Sequence, residues 1–217
     1  CALPISSITT LDPVAATDQA SSYVVGQVFD TLMGYPDGHP EVEPQLAADY
    51  RVADGGRTYT FTLREATFHD GSAVTADDVV YSLERLAASP NSRRRSFLFD
   101  VLGVTHETTT ETRDGEPREV YAPGTLGVTA VDDRTVRIRL AKPFVAALEM
   151  LAFGAFSVVP EGIVGDVAGY DGRLDYQTFA TSGPVGCGPF EFVSWEQGTE
   201  CAVQRFDDYH GTVPNVA

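Results

Sequence analysis

The chain has 217 residues, of which 43% are hydrophobic, and it carries 31 acidic against 15 basic side chains, a formal net charge of −16. This composition suits a folded protein with a sizeable core and excludes an intrinsically disordered chain. No run of about 18 apolar residues is present, so no helix is expected to span a membrane, and the shortage of basic side chains argues against a nucleic-acid partner.

The first part of the chain predicts a strand, a helix and a turn region, in that order. Residues 5–10 are rich in β-branched side chains and predict a short strand. Residues 18–33 carry apolar side chains at the spacing of one helical face, and Thr17 or Asp18 can cap that helix. Residues 34–44 contain three prolines and two glycines, which predicts a turn region.

The middle of the chain predicts a half-buried strand followed by a capped helix. Residues 58–63 alternate threonine with aromatic or leucine side chains, directly after a predicted tight turn at 54–56. Residues 68–71 predict a strand end and turn. Thr75, with an acidic residue three positions later, has the signature of a capping box and predicts the start of a helix.

The rest of the chain predicts further hairpins and one more helix, so the fold class is α/β or α+β. The segments are a polar loop at 89–95, an exposed insertion or long hairpin at 105–123, a hairpin at 128–140 around Asp132 and Asp133, a helix at 144–153, a loop at 165–182, and a hairpin formed by 190–195 and 201–206 around Gly198.

No motif predicts catalysis, a metal site or a cofactor. The sequence contains no phosphate-binding glycine loop and no Gly-x-Ser-x-Gly elbow. Adjacent acidic pairs at 77–78, 132–133 and 207–208 are explained by a helix cap and by turns. His69, inside a predicted turn, is interpreted as a structural hydrogen-bonding residue. The histidines are too far apart to suggest metal-ligand spacing: His39, His69, His106 and His210.

One basic cluster stands out in this acidic chain, at Arg93, Arg94 and Arg95. Two interpretations stay open: a solvated loop, or a loop that faces a ligand or a partner. The only lysine is Lys142, and the acidic residues are spread along the chain. We interpret this pattern as halophilic, since a screened acidic surface stays hydrated at high salt. An ordinary acidic secreted protein is the alternative.

The three cysteines, Cys1, Cys187 and Cys201, do not describe a disulfide framework. A hairpin turn at 197–198 places Ser194 opposite Cys201, so a bridge to Cys187 is not expected, and both are interpreted as small buried side chains. Cys1 has two interpretations. It is either the lipid-bearing residue left when a signal peptide is removed, or only the residue at which a fragment starts.

Eight short motifs identify a family resemblance by their order and spacing. Together they resemble solute-binding protein family 5 of ABC transporters, the group that binds oligopeptides, dipeptides and nickel. Most are turns, caps and strand ends, so they identify the scaffold better than the ligand. The motifs are Leu11-Asp12-Pro13 and the runs 28–32, 44–47, 58–64 together with 68–71, 75–82, 131–136, 186–190 and 205–209.

The resemblance implies a periplasmic-binding-protein-like fold of type II, mixed α/β, represented by one lobe with the second lobe absent. That lobe would consist of a core subdomain, residues 1–33 and 166–217, and an inserted α+β subdomain, residues 34–165. Such proteins enclose their ligand between two lobes. The ligand contacts that the resemblance implies are Thr17, Asp18, Gln19, Arg94 and Phe153.

The function implied by the resemblance is that of the substrate-binding component of an ABC importer. It would capture oligopeptides or dipeptides outside the cytoplasmic membrane, at the cell surface or in the periplasm, and deliver them to the permease and ATPase complex. Binding of nickel or another small solute, or peptide sensing, is the alternative, and an enzyme is not expected. Lipid at Cys1 would make the protein a membrane-anchored lipoprotein.

The halophilic interpretation predicts that the free energy of unfolding rises with salt. A net charge of −16 repels itself in the folded state, and salt screens that repulsion. The urea midpoint should therefore increase from dilute buffer to molar sodium chloride. A higher midpoint in dilute buffer would contradict the interpretation.

Overall fold

The fold is known from a computed structural model that describes residues 8–36, 38–89, 92–113, 115–165, 179 and 183–215. Within these residues, no helix has the length and apolar character needed to cross a membrane.

The described chain contains three α-helices and ten strands. The helices are α1 (Gln19–Val28), α2 (Ala76–Ala88) and α3 (Ala147–Met150). The strands are β1 (Met33–Gly34), β2 (Glu43–Pro44), β3 (Ala47–Ala53), β4 (Thr58–Leu63), β5 (Thr108–Arg113), β6 (Glu116–Tyr121), β7 (Val128–Asp132), β8 (Thr135–Arg139), β9 (Phe190–Glu196) and β10 (Glu200–Arg205).

The predicted strand at 5–10 is wrong over its described part, since Ile8, Thr9 and Thr10 belong to no strand. Residues 5–7 lie outside the described part of the chain. The backbone N–H groups of Thr9 and Thr10 instead donate to Ser21 Oγ, at 3.0 and 3.3 Å. A side chain of α1 therefore supplies the acceptor that a neighbouring strand would otherwise supply.

Helix α1 begins where the sequence predicts but ends earlier. Asp18 is its N-cap, with Oδ1 accepting a hydrogen bond from the backbone N–H of Ser21 at 2.8 Å. The helix ends at Val28 because Phe29 is extended, with φ −122° and ψ 144°. The predicted end at Met33 is wrong, because Met33 is buried as part of β1. Both α1 and β1 bury apolar side chains, so the apolar spacing in the sequence continues beyond the end of the helix.

A four-stranded antiparallel sheet, in the order β3-β4-β8-β7, forms the framework of the middle of the chain. The tight turn predicted at 54–56 joins β3 to β4, and all three residues have positive φ, at 52°, 63° and 88°. The predicted hairpin at 128–140 is confirmed as β7 and β8. The alternation predicted for β4 is also confirmed, with its buried side chains at Tyr59, Phe61 and Leu63.

Helix α2 carries the capping box that the sequence predicts. Asp78 Oδ2 accepts hydrogen bonds from the backbone N–H and the hydroxyl of Thr75, at 2.7 and 2.8 Å. The helix is buried along most of its length. Its Glu84 carboxylate accepts hydrogen bonds from the Tyr121 hydroxyl and the Gly124 N–H. These bonds tie α2 to the end of β6 and to the segment that follows it.

Arg85 of α2 is the largest fully buried side chain among the described residues. Its guanidinium forms an ion pair with Asp12, and the two side chains are 1% and 3% exposed. The guanidinium carbon lies 5.1 Å from the centre of the Phe179 ring. Asp12 also accepts a hydrogen bond from the Val14 N–H, at 3.1 Å. The Leu-Asp-Pro turn is therefore fixed to the buried face of α2.

The helix predicted at 144–153 is wrong in length. Helix α3 covers only Ala147–Met150, and a 3-10 turn follows at Gly154–Phe156. Between them Phe153 is extended, with φ −83° and ψ 134°, which ends the helical path. Nearly every residue of this stretch is apolar, so periodicity could not place the ends of the helix.

The sequence predicts either an exposed insertion or a long hairpin at 105–123, and the structure has a hairpin there. Its strands β5 and β6 pair in antiparallel register, and their described side chains are exposed along nearly their whole length. The hairpin predicted near the C-terminal end is also confirmed, as β9 and β10.

The predicted pairing within the β9–β10 hairpin is wrong by one residue. Cys201 lies opposite Trp195, and Ser194 lies opposite Ala202. The turn holds three residues, 197–199, and is closed by a backbone hydrogen bond, and this shifts the register. Cys187 and Cys201 are free thiols, as predicted. Cys187 is fully buried, which raises its pKa well above the ordinary value, whereas Cys201 is only half-buried.

The loop at 186–189 packs tightly between α1 and the turn at 68–71. A Cβ atom added to Gly186 would lie 2.0 Å from the Val28 carbonyl oxygen, so only glycine fits there. His69 Nε2 lies 3.0 Å from the Gly188 carbonyl oxygen, and the His69 N–H donates to the Gly186 carbonyl at 2.9 Å. The structural role predicted for His69 is confirmed.

One hydrophobic cluster connects the sheet and α2 with residues near both ends of the described chain. Val14, Leu32 and Cys187 belong to the same buried cluster as the side chains of β4 and α2. A second, smaller cluster lies around the C-terminal half of α1 and includes Phe179. The predicted division into residues 1–33 with 166–217 and residues 34–165 stays a prediction. The loop predicted at 165–182 lies largely outside the described residues.

Breaking the Asp12–Arg85 pair is expected to destabilise the fold strongly. Arg85→Met leaves a buried carboxylate without its partner, which should lower the free energy of unfolding by about 3–5 kcal/mol. Adding Asp12→Asn removes the second charge and should recover part of this loss. The control is Glu65→Gln at the exposed pair with Arg134, whose side chains are 92% and 43% exposed, and it should cost under about 1 kcal/mol. Urea unfolding measures all three, and equal losses at the two pairs would contradict the expectation.

Candidate functional site

A cavity of about 250 Å³ lies between α1, the loop after α2 and the segment 152–157. Two wider hollows, of about 690 and 770 Å³, lie elsewhere, but neither is lined by a residue predicted to contact ligand. The cavity combines apolar walls with a few polar groups, as small-molecule sites do. Its lining comprises Pro13, Ala16, Ser22, Val25, Gly26, Phe29, Thr31, Gly34, Tyr35, Gln45, Arg94, Ala152, Phe153, Gly154, Ala155 and Ser157.

Arg94 is held at the wall of this cavity by the segment that follows the Leu-Asp-Pro turn. Its Nε and Nη2 donate to the Ala16 carbonyl oxygen, at 3.1 and 3.0 Å. Ser92 Oγ accepts the Arg94 N–H at 3.1 Å and donates to the Val14 carbonyl at 2.5 Å. Burial lowers the pKa of Arg94, yet an arginine remains charged. A guanidinium carries five N–H groups, more than these contacts use, so Arg94 can also bind a carboxylate.

Two phenylalanine rings pack against the Arg94 guanidinium. Its central carbon lies 4.8 Å from the Phe153 ring centre and 5.7 Å from that of Phe97. The two rings meet edge to face, with centres 5.1 Å apart. The structure therefore brings together Arg94 and Phe153, two of the residues that the family resemblance implies as ligand contacts.

The basic cluster is not a uniformly solvated loop. Arg93 is exposed, whereas Arg94 and Arg95 are half-buried. The guanidinium of Arg95 lies 5.2 Å from the ring centre of Phe99, and burial lowers the pKa of Arg95. Of the two interpretations left open by the sequence, the one with a loop facing a ligand fits Arg94, which lines the cavity.

Thr17, Asp18 and Gln19 do not line the cavity. Thr17 and Gln19 are exposed, and Asp18 is engaged as the N-cap of α1. Burial raises the pKa of Asp18, but hydrogen bonds from the Ser21 N–H and the Thr9 hydroxyl outweigh it, so the pKa is lowered overall. Their neighbour Ala16 does line the cavity. Ligand contact by residues 17–19 stays a prediction. Cys1 lies outside the described residues.

A buried acid lies directly behind the cavity wall. Asp30 is 1% exposed, and its Oδ1 accepts a hydrogen bond from Gln45 Nε2 at 2.6 Å. Its Oδ2 lies 2.6 Å from Nε2 of His210. Burial raises the pKa of Asp30, and the hydrogen bonds from His210 and Tyr209 oppose that rise. The network connects the end of α1, the segment before β3 and the segment after β10.

Three further residues line the cavity that no sequence motif predicts as site residues: Gln45, Thr31 and Tyr35. Thr31 and Gln45 lie inside motifs that carried the family resemblance, but as parts of the scaffold. The exposure of Tyr35, at 55% for a large aromatic, is a tertiary property with no signal in the local sequence.

The profile of bacterial extracellular solute-binding proteins, family 5 (middle), matches residues 41–217. The chain belongs to this family. Among curated relatives, the glutathione-binding protein GsiB of Pectobacterium atrosepticum is 30% identical over 205 residues, which cover 94% of this chain and 34% of GsiB. This family 5 chain therefore spans about a third of the length of the curated relatives it matches.

Solved structures agree with the family assignment. Listeria monocytogenes OppA bound to peptide superposes with a TM-score of 0.72 at 27% identity, covering 94% of this chain and 38% of OppA. AgaA of A. tumefaciens R10, in complex with agropinic acid, superposes with a TM-score of 0.71 at 29% identity, covering 95% of this chain and 35% of AgaA. The periplasmic-binding-protein-like, mixed α/β fold predicted for one lobe is thereby confirmed.

A larger side chain on α1 that fills the cavity is expected to increase the stability of the fold and to abolish solute binding. Gly26 faces open space, with no atom within 4 Å of an added Cβ. Gly26→Leu should raise the free energy of unfolding by about 0.5–1 kcal/mol, because leucine forms helices better than glycine. The same side chain should block the cavity and abolish solute binding, as measured by calorimetry. Gln27→Leu, which adds leucine outside the cavity lining, is the control and should leave binding unchanged. Unchanged binding in Gly26→Leu would contradict the cavity as the site.

Proposed function

We propose that the protein carrying this chain is the substrate-binding component of an ABC importer that captures peptides outside the cytoplasmic membrane. The observation that carries the proposal is the placement of Arg94 at the cavity wall, in a chain of a solute-binding family. A peptide carries a terminal carboxylate, and a guanidinium held by Ala16 and Phe153 is suited to bind it.

The mechanism is capture followed by delivery, without chemical change of the solute. Solute bridges two lobes, a hinge closes, and the closed form docks on the permease and ATPase complex. In this proposal residues 1–33 and 166–217 form the core subdomain of the first lobe, and residues 34–165 form its inserted subdomain. Thr17, Asp18 and Gln19 would contact the ligand at the rim of α1, and lipid at Cys1 would anchor the protein to the membrane.

A small carboxylated solute other than a peptide is the second candidate. AgaA, whose fold matches this chain, was solved in complex with agropinic acid. Arg94 would serve such a solute equally well, because a guanidinium recognises the carboxylate and not the rest of the molecule. The length of the accepted molecule distinguishes the candidates, since a peptide importer should bind a series of di-, tri- and tetrapeptides.

Removing the Arg94 charge is expected to weaken peptide binding about 10- to 100-fold, since a hydrogen bond to a charged group contributes about 1.5–3 kcal/mol. The measurement is calorimetric titration of di- to tetrapeptides into Arg94→Met, made in the natural polypeptide at its full length. Arg93→Met is the matched control, because Arg93 is the exposed neighbour in the same loop.

Three results would count against the proposal. Equal losses in Arg94→Met and Arg93→Met would mean that the effect is one of general charge. An unchanged affinity in Arg94→Met would remove Arg94 from the site. Binding of no peptide by the unmodified protein, together with binding of an opine or another small acid, would favour the second candidate.

A further inference from the structure

The orientation of the Gln45 side chain in the cavity wall is determined by the buried residue Asp30. Gln45 lines the cavity, and its Nε2 donates to Asp30 Oδ1 at 2.6 Å. Its Oε1 is directed toward Gly34, where an added Cβ would lie 2.4 Å from it. Gly34 also lines the cavity. The amide nitrogen of Gln45 thus faces the buried acid, and the amide oxygen lies at the cavity wall.

The chemistry of Asp30 imposes this orientation. Its Oδ2 is engaged with His210 Nε2 at 2.6 Å. With the shared proton between Asp30 Oδ2 and His210 Nε2, Oδ1 carries no hydrogen and accepts. Turning the Gln45 oxygen toward Oδ1 would bring two acceptors together and deprive the buried Asp30 oxygen of the hydrogen bond from Gln45. The nitrogen of Gln45 must therefore face Asp30.

The Gln45 oxygen retains capacity to accept a hydrogen bond. The Thr31 hydroxyl lies 3.4 Å from Oε1, but it also lies 2.5 Å from the Met33 carbonyl oxygen. A hydroxyl has a single hydrogen, and the shorter contact takes it. An amide oxygen has two lone pairs, so Oε1 can accept an N–H from a molecule in the cavity.

We propose that Gln45 is a specificity-determining residue that accepts a hydrogen bond from an N–H group of the bound solute, and that Asp30 is the positioning residue that keeps the Gln45 oxygen at the cavity wall. The inference rests on the proposed function, because it takes the cavity to be the capture site. Arg94 binds acceptor groups of the solute, and Gln45 supplies the complementary acceptor. The cavity therefore selects solutes that carry an amide N–H over ester analogues of the same shape.

Asp30→Asn is expected to reverse the polarity of the wall. Asparagine has one oxygen and one NH₂ group, and the oxygen can accept from His210 Nε2. The NH₂ group then faces Gln45, which must rotate its amide and present its own NH₂ to the cavity. Adding Gln45→Glu restores an acceptor, because a carboxylate accepts on both oxygens.

The experiment compares trialanine with two depsipeptide analogues, each with one amide N–H replaced by an ester oxygen. Calorimetry on the natural polypeptide at its full length should show trialanine binding about 3- to 10-fold more tightly than one analogue, the range of a single neutral hydrogen bond. Asp30→Asn should remove or reverse this preference, and Asp30→Asn with Gln45→Glu should regain it. Loss of stability alone would produce neither a reversal nor a rescue.

Two further variants guard against misfolding as an explanation. Gln45→Met leaves the Asp30–His210 pair in place and removes the whole Gln45 amide, both the acceptor at the cavity wall and the donor to Asp30, so it should bind trialanine and both analogues with equal affinity. Glu191→Gln alters another carboxylate that accepts a hydrogen bond from a glutamine, Gln204, at 2.5 Å, on the β9–β10 hairpin outside the cavity lining. This control should keep the preference of the unmodified protein.

A readout without ligand separates failure of this inference from failure of the proposed function. Nuclear Overhauser contacts between the Gln45 side-chain amide hydrogens and the Gly34 α-hydrogens should be weak in the unmodified protein and strong in Asp30→Asn. If trialanine does not bind the unmodified protein, peptide capture fails, and this contact still decides the role of Asp30. An unchanged amide orientation in Asp30→Asn, or an equal preference in Gln45→Met and the unmodified protein, would overturn the inference.

Discussion

A buried ion pair between Arg85 and Asp12 joins α2 to the Leu-Asp-Pro turn. Arg85 and Asp12 are both almost inaccessible to solvent, and a charge in the interior persists only beside its partner. The pair therefore fixes the Leu-Asp-Pro turn against α2. The segment that follows this turn supplies the Val14 and Ala16 carbonyl oxygens, which accept hydrogen bonds from Ser92 and Arg94.

The cavity is a consequence of that arrangement. Arg94 follows α2 closely in the chain, and its guanidinium reaches back to Ala16, 78 positions away in the sequence. Phe153 comes from a third segment and completes the surroundings of the guanidinium. A side chain held by two hydrogen bonds and two aromatic rings loses little further freedom on binding a ligand. The site is thus preorganised by contacts that also stabilise the fold.

The scaffold and the specificity of this family have separate origins in the molecule. GsiB is named as a glutathione-binding protein, OppA was solved bound to peptide, and AgaA was solved with agropinic acid. Each of them nevertheless matches more than nine-tenths of this chain. A fold shared by different ligands cannot select among them. In the proposed function, selection falls to side chains at the cavity wall, where Arg94 and Gln45 have opposite hydrogen-bonding characters.

Local features that depend on a few neighbouring residues follow from the sequence alone. The capping box at Thr75, the alternation along β4 and the tight turn at 54–56 have the predicted structure, because each depends on short-range hydrogen bonds or on side-chain period. Helix ends in apolar stretches were wrong at Met33 and near Phe153. The strand at Met33 and the 3-10 turn after Phe153 bury apolar side chains as a helix does, so tertiary packing alone sets the boundary.

Some residues of the candidate site were likewise predictable from the sequence, and others were not. The order of the motifs identified the family, and the family resemblance implied Arg94 and Phe153 as ligand contacts. The fold places the guanidinium carbon of Arg94 4.8 Å from the centre of the Phe153 ring. Only the tertiary structure excluded Thr17 and Gln19 from the cavity lining, and only it placed Gln45 there with its amide turned by Asp30. The orientation of that amide depends on an acid 15 positions away and on His210, 180 positions from Asp30. Contacts at such separations exist only once the chain has folded, so no local pattern could have predicted them.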